Sequence, residues 1–268
     1  MIVETSGGQI RLAANLKWLF TELPFEQRFD AAAESGFTGV EFASPYALPA
    51  NRVRELLDAA GLEQVIINTP AGLPGSPTIM GAASVPGAQE EFRAGVLIAL
   101  EYASILGAPV VHTMAGLRPD DVDPDVAFAT YVANIGWAAE QARSAGVRLA
   151  LEAINKRDQP RFALASMETA AAVAEAVDPT TVGVLFDFYH AQVDRGNVLE
   201  RYERLLPNIV HVQVADNPGR GEPGTGEIAY DRVLARIAVS DYDGWIGCEY
   251  GPVTDTRAGL SWVERITR

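Results

Sequence analysis

The sequence predicts an α/β fold, a single (β/α)₈ TIM barrel over residues 1–268, and three observations lead there. Eight short runs rich in Val, Ile and Leu alternate with Ala-rich stretches of helical length. The runs are apolar at consecutive positions, as expected of parallel strands covered on both faces. Four helix candidates stop at a glycine, where a left-handed residue closes a helix C-terminus. Eight such units close as a parallel barrel with the helices outside; an open doubly wound sheet is the alternative.

In chain order, strand Ile10–Leu16 leads to a helix over Pro24–Ser35 that stops at Gly36, and strand Gly39–Phe42 to a helix over Asn51–Ala60 that stops at Gly61. Strand Gln64–Asn68 is followed by residues 69–86, whose four prolines make it a loop at the mouth of the site, with a lid as one reading. The helix over Gly87–Leu106 stops at Gly107, strand Pro109–Thr113 follows, and the helix over Asp125–Ala145 stops at Gly146. Strand Val147–Glu152, helix Ser166–Ala176, strands Val182–Asp187 and Ile209–Val214, helix Tyr230–Ile237, strand Trp245–Glu249 and helix Arg257–Ile266 complete the pattern. No linker or low-complexity tract divides it.

Composition narrows the function. With 35 acidic against 21 basic side chains, the chain carries a formal charge of −14. Grip on a phosphate backbone comes mainly from Lys and Arg, so neither nucleic acid nor an anionic membrane is an expected partner. One cysteine, Cys248, excludes a disulfide framework and a thiolate metal cluster and fits a reducing compartment, with the cytoplasm as the default. Met1–Phe20 has neither the basic stretch nor the apolar run of a signal peptide, and no segment is apolar for the roughly 20 residues that a membrane span needs.

In a barrel of this kind the C-terminal ends of the strands converge on one pocket. The fifth to eighth strands each end on, or just before the end carry, an oxygen donor: Glu152, Asp187, Gln213 and Glu249. Any one of these acids could be an N-cap for the following helix. Four in consecutive units form a regular set, and three carboxylates in a partly desolvated mouth repel one another unless a cation sits among them. Oxygen donors without a thiolate suit a hard divalent ion, Mg²⁺ or Mn²⁺.

Around this set stand further polar candidates. His190 follows Asp187 by three residues, in a loop, where it could bond a substrate oxygen or a backbone carbonyl. His211 shares the face of Gln213 by the two-residue period and either points into the barrel or serves as a core histidine; His112, near the end of the fourth strand, has the same two readings. Arg220 lies in the glycine-rich loop after the seventh strand, a region where barrels bind anions, and could hold a substrate carboxylate; the other reading is a solvated loop arginine. Glu41 and Asn68 end the second and third strands and could line the pocket opposite the metal; Trp18, Phe20 and Phe188 could wall it, although apolar aromatics are more often plain packing residues.

Ala14-Asn15-Leu16, Gly39-Val40-Glu41-Phe42, Leu151-Glu152-Ala153-Ile154-Asn155, Asp187-Phe188-Tyr189-His190, His211-Val212-Gln213, the run Pro218–Glu227 and Gly247-Cys248-Glu249-Tyr250 together resemble the hydroxypyruvate isomerase group of the xylose isomerase-like barrels nearly end to end. The resemblance implies a metal held by Glu152, Asp187, Gln213 and Glu249, and proton transfer by Glu152 and Glu249. Many relatives have His at the third ligand position, and Gln213 points to the hydroxypyruvate and 2-oxo-tetronate isomerase branch rather than to ketose 3-epimerases. The implied reaction takes a small hydroxy-carbonyl substrate through a cis-enediolate, hydroxypyruvate giving tartronate semialdehyde, and relatives suggest a homodimer or homotetramer. Two readings of other classes are an abasic-site endonuclease, which would need more than three histidines and a basic face, and a sugar-binding barrel without catalysis.

Overall fold

The structure, a computed structural model, describes residues 1–5 and 7–266. It is a closed parallel barrel. Strand β1 (Ile2–Thr5) runs antiparallel to β2 (Gly8–Asn15), and β2 is followed by β3 (Gly39–Glu41), β4 (Glu63–Asn68), β5 (Val110–His112), β6 (Arg148–Glu152), β7 (Val182–Asp187), β8 (Ile209–Val214) and β9 (Trp245–Cys248). Each of β2 to β9 pairs in parallel with the next, and β9 returns to β2 with Ala13 beside Gly247. All eight predicted strands are present, within two residues at either end.

Most of the predicted helices also form. The α-helices are α1 (Arg28–Glu34), α2 (Ala50–Ala60), α3 (Gln89–Leu106), α4 (Pro124–Ala145), α5 (Met167–Val177), α8 (Tyr230–Ala238), α9 (Thr256–Gly259) and α10 (Ser261–Ile266), joined by α6 (Phe188–Asp194) and α7 (Val198–Leu205), which are absent from the sequence reading. The glycine stops hold: Gly61, Gly107 and Gly146 cap α2, α3 and α4 with φ of 65°, 72° and 70°.

Three features depart from the sequence reading. Strand β1 was not anticipated: four residues give no usable period, and it exists because β2 offers it an edge next to α8, where a Cβ on Gly7 would lie 2.6 Å from the Ala235 carbonyl oxygen. Helices α6 and α7 are likewise additions, which places His190 inside a first helical turn and not in a loop. The predicted helix over Arg257–Ile266 is broken into α9 and α10 at Leu260.

The strands are buried on both sides, which explains their continuous apolar sequence. Ala13, Val65, Ile66, Val110, Ala150 and Leu185 form a small inner cluster that fills the barrel, and the larger cluster lies between barrel and helices. That packed interior pushes the polar strand ends together at the C-terminal mouth. Of the 69–86 loop, residues 82–85 are buried, with the Ser84 N–H donating to the Ala115 carbonyl and Asn134 donating to that of Ala83, whereas Leu73 is well exposed.

Candidate active site

Four strand ends supply the predicted oxygen donors. Glu152 ends β6, Asp187 ends β7, Gln213 lies one residue before the end of β8, and Glu249 follows β9; their register brings Asp187 beside Gln213 and Glu152 beside Leu185. Asp187 does two jobs. Its Oδ1 accepts the Tyr189 N–H at 2.8 Å and so caps α6, while its Oδ2 faces the pocket, where Arg220 Nη2 lies at 3.2 Å. Capping and site membership, alternatives in the sequence, are here divided between the two oxygens of one carboxylate.

A cation does sit among the acids, and it comes from the chain itself. Arg220, with left-handed φ of 56°, projects from the loop after β8 and places Nη2 at 2.6 Å from Glu249 Oε2. Trp18 and Tyr189 sandwich the guanidinium at 5.1 and 4.8 Å from their ring centres. The solvated-arginine reading is therefore overturned. The loop is pinned by buried Asp216, which accepts N–H groups of Asn217, Gly224 and Ile228. Burial alone would lower the Arg220 pKa, and the attraction of Glu249, Asp187 and Glu152 more than reverses it.

One guanidinium does not compensate three carboxylates. Burial, followed by repulsion from Glu249 and Asp187, raises the Glu152 carboxyl well above its ordinary range. Burial likewise lifts Asp187 to about 6 and Glu249 to about 7 against the pull of Arg220. Such a set takes up either protons or a further cation. The amide supplies a second sign: Gln213 is 5 % exposed and its Oε1 has no hydrogen-bond partner among the described residues. Glu152, Asp187 and His190 each offer a ligand atom within 4.8 Å of one another. An uncompensated acid cluster beside a bare amide oxygen is a donor set that fits a hard divalent ion.

A stability prediction follows from the raised Glu152. A carboxyl with a raised folded-state pKa contributes stability that is full below its unfolded value and is lost as pH rises. In EDTA, Glu152→Gln is expected to melt a few degrees higher than the parent protein at pH 8, with the gain shrinking toward zero near pH 5, as read by circular dichroism melting. A gain that is absent at pH 8, or as large at pH 5, would contradict the electrostatic picture.

The histidines separate into different environments. Burial holds His190 near 3, with Arg220 adding to the shift, so the ring is neutral. Its Nδ1 lies 2.7 Å from Asn155 Nδ2, and that amide is oriented because Asn155 Oδ1 takes the Asp158 N–H. His190 Nε2 lies 3.1 Å from Arg220 Nη1 and 3.7 and 3.6 Å from Glu152 and Asp187. A neutral imidazole accepts at only one nitrogen, so the Asn155 and Arg220 contacts exclude each other as hydrogen bonds. His112 is buried, held down to about 3 by burial with a contribution from His211, and sits 3.6 Å from Glu152 Oε2 with its Nε2 unpartnered among the described residues. His211 faces inward, 2.6 Å from Glu41 Oε2.

The remaining candidates are distributed differently. Asn68 lines a cavity of about 480 Å³ on the opposite side of the mouth, with Leu16, Phe42, Met80 and Met114. Trp18 does wall the site, on Arg220. Phe188 does not: its ring meets Phe186, Tyr202 and Tyr230 in the layer behind the strands. Phe20 is a core residue whose N–H donates to Thr256 Oγ1. Asn15, Asn155 and Tyr189 were not singled out as site residues, although Asn15 ends its strand in the same manner as Glu152 and the same rule would have found it.

A buried acid set at the C-terminal mouth of a parallel barrel defines a class, and the family model for the xylose isomerase-like TIM barrel matches residues 29–266: the chain belongs to that family. Within it, the chain is 40 % identical over 254 residues to the 2-oxo-tetronate isomerase of Cupriavidus necator, covering 95 % of this chain and 97 % of that one. It is 39 % identical over 255 residues to the hydroxypyruvate isomerase of Escherichia coli K12, covering 95 % and 98 %. A crystal structure described as an AP endonuclease, family 2, from Brucella melitensis superposes with a TM-score of 0.91 at 35 % identity, over 96 % of this chain and 98 % of that one.

Proposed function

We propose that the protein is an isomerase that moves a carbonyl between adjacent carbons of a small hydroxy-carbonyl acid, hydroxypyruvate in the first instance, with Glu152 and Glu249 as the proton-transferring pair. The observation that carries this reading is the convergence at the barrel mouth of three carboxyls raised by burial with an amide oxygen that has no partner among the described residues. The relatives named for hydroxypyruvate and 2-oxo-tetronate isomerisation support it. Glu152, Asp187, Gln213 and Glu249 would hold Mg²⁺ or Mn²⁺, which when bound supplies positive charge to offset the negative charge of an enediolate.

The residues perform the rest. One glutamate removes a proton from C3 of hydroxypyruvate, C2 and C3 become doubly bonded in the enediolate, and the other returns a proton to C2 while a hydroxyl proton passes from O3 to O2, giving tartronate semialdehyde. Raised carboxyls suit both roles, because burial makes each a better proton acceptor than an exposed glutamate. Arg220 is the anchor for the substrate carboxylate, for which a guanidinium offers two parallel donors. When it turns to that carboxylate, the Asn155 contact fixes the His190 proton on Nε2, facing a substrate oxygen. His112 Nε2 is a second group without a partner that substrate could satisfy. Trp18 and Tyr189 keep water from the guanidinium.

Proton NMR in D₂O tests the reading: EDTA-stripped protein with hydroxypyruvate should be silent, and Mn²⁺ or Mg²⁺ should produce tartronate semialdehyde and deuterium exchange. No exchange with any hydroxy-carbonyl acid would leave a binding barrel instead. For Arg220→Ala we expect KM for a carboxylate-bearing substrate to rise at least tenfold and that for a neutral ketose to change little; equal effects would remove Arg220 as the anchor.

A second reading is isomerisation of 2-oxo-tetronate, which is favoured by the 40 % identity to the Cupriavidus necator relative named for it. The ratio of kcat/KM for the two acids decides between them. An abasic-site nuclease fits poorly with a formal charge of −14, and nicking of an abasic duplex by metal-loaded protein would be the contrary result.

A further inference from the structure

Glu41, at the end of β3, is 1 % exposed, as enclosed as Asp187. Its Oε1 accepts the Gln213 amide N–H and that of Asn15, each at 2.8 Å, and its Oε2 lies 2.6 Å from His211 Nε2. The chain makes space for it: a Cβ on Gly247 would stand 2.2 Å from Glu41 Oε2, so the carboxylate reaches β8 only because β9 has no side chain there. An amide has two chemically different ends, and a carboxylate oxygen accepts hydrogen bonds only from the nitrogen end. Gln213 therefore gives its Nε2 to Glu41 and leaves its buried Oε1 without a partner among the described residues.

We propose that Glu41 is a positioning residue that fixes the amide of Gln213 with its oxygen toward the acid cluster, turning an amide that could present either end into a dedicated oxygen ligand. The proposal rests on the reading that this cluster holds a divalent ion. Outer partners of this kind are commonly worth about 10–100-fold in metal affinity.

Mn²⁺ binding by calorimetry, on metal-stripped protein, separates the possibilities without an activity assay. Glu41→Leu is expected to weaken Mn²⁺ binding by about 10–100-fold. Glu41→Gln should stay within about fivefold of the parent protein, because its amide oxygen can serve Gln213 and Asn15 while His211 accepts from its nitrogen in the other tautomer. In a Gln213→Met background Glu41→Leu should add less than about twofold, since the other amide on Glu41, that of Asn15, which also donates to Glu249 Oε1 at 3.3 Å, keeps its anchor on the Lys17 N–H. Equal losses for Gln and Leu, or a full Glu41→Leu loss in the Gln213→Met background, would overturn the positioning role and leave the metal site standing. Absence of Mn²⁺ binding by the parent protein would overturn both. Should Glu41→Leu fold poorly by circular dichroism, Glu41→Met, of similar length and at most a weak acceptor for the Gln213 amide, takes its place under the same criteria.

Discussion

Glu152→Gln and Glu249→Gln are each expected to reduce turnover of hydroxypyruvate by at least about 10²–10⁴-fold, the usual worth of a positioned proton-transfer group. The substitution keeps the shape and removes the proton-accepting oxygen pair, at positions where burial raises both carboxyls above the ordinary range. The two variants should differ in a second measurement. Glu249 has Arg220 against it at 2.6 Å, so its loss frees the guanidinium and should alter KM as well as kcat. No Lys or Arg among the described residues lies in ion-pair contact with Glu152, whose nearest basic groups are His112 at 3.6 Å and His190 at 3.7 Å, so its loss should appear chiefly in kcat. Unchanged turnover in either variant, measured by steady-state kinetics, would sink the two-glutamate mechanism.

Removal of metal should have an effect of the same size. EDTA-treated protein is expected to be inactive, with activity restored by Mn²⁺ or Mg²⁺, and its melting temperature should rise by several degrees on reloading. Binding to the folded state alone stabilises by about 2.7 kcal/mol at a hundredfold excess over Kd. Asp187→Asn should require more metal for half-maximal activity while approaching the parent rate at saturation, because Asp187 is placed to bind and to cap α6 rather than to move the proton. Full activity after exhaustive chelation, confirmed by metal analysis, would discard the metal requirement and leave Arg220 as the cation of the site.

Much of the molecule was legible in the residues. Eight strands could be placed because a strand covered on both faces must be apolar throughout, and Gly61, Gly107 and Gly146 mark helix ends because each needs a left-handed backbone. Glu152, Asp187, Gln213 and Glu249 could be picked out because a polar residue at the end of such a run has no core position to fill. Helix α6 could not be read from a period, since its seven residues span under two turns and its buried face, Phe188 to Ala191, is continuous. The two readings of Phe188, wall or packing, stay open in the sequence for a related reason: an aromatic next to a site acid says nothing of the side on which it emerges.

What the sequence by itself determined is the (β/α) alternation and the polar residues at four strand ends, which follow from local pattern; it left an open sheet beside the closed barrel. Only the tertiary structure decided that the barrel closes, which cation answers the acids, which end of Gln213 meets Glu41 and where His190 looks. Arg220 reaches Asp187 across 33 positions of chain, and Glu41 reaches Gln213 across 172. No periodicity carries such pairings: they arise when closure of the barrel brings β9 beside β2 and forces buried polar groups to satisfy one another across the mouth.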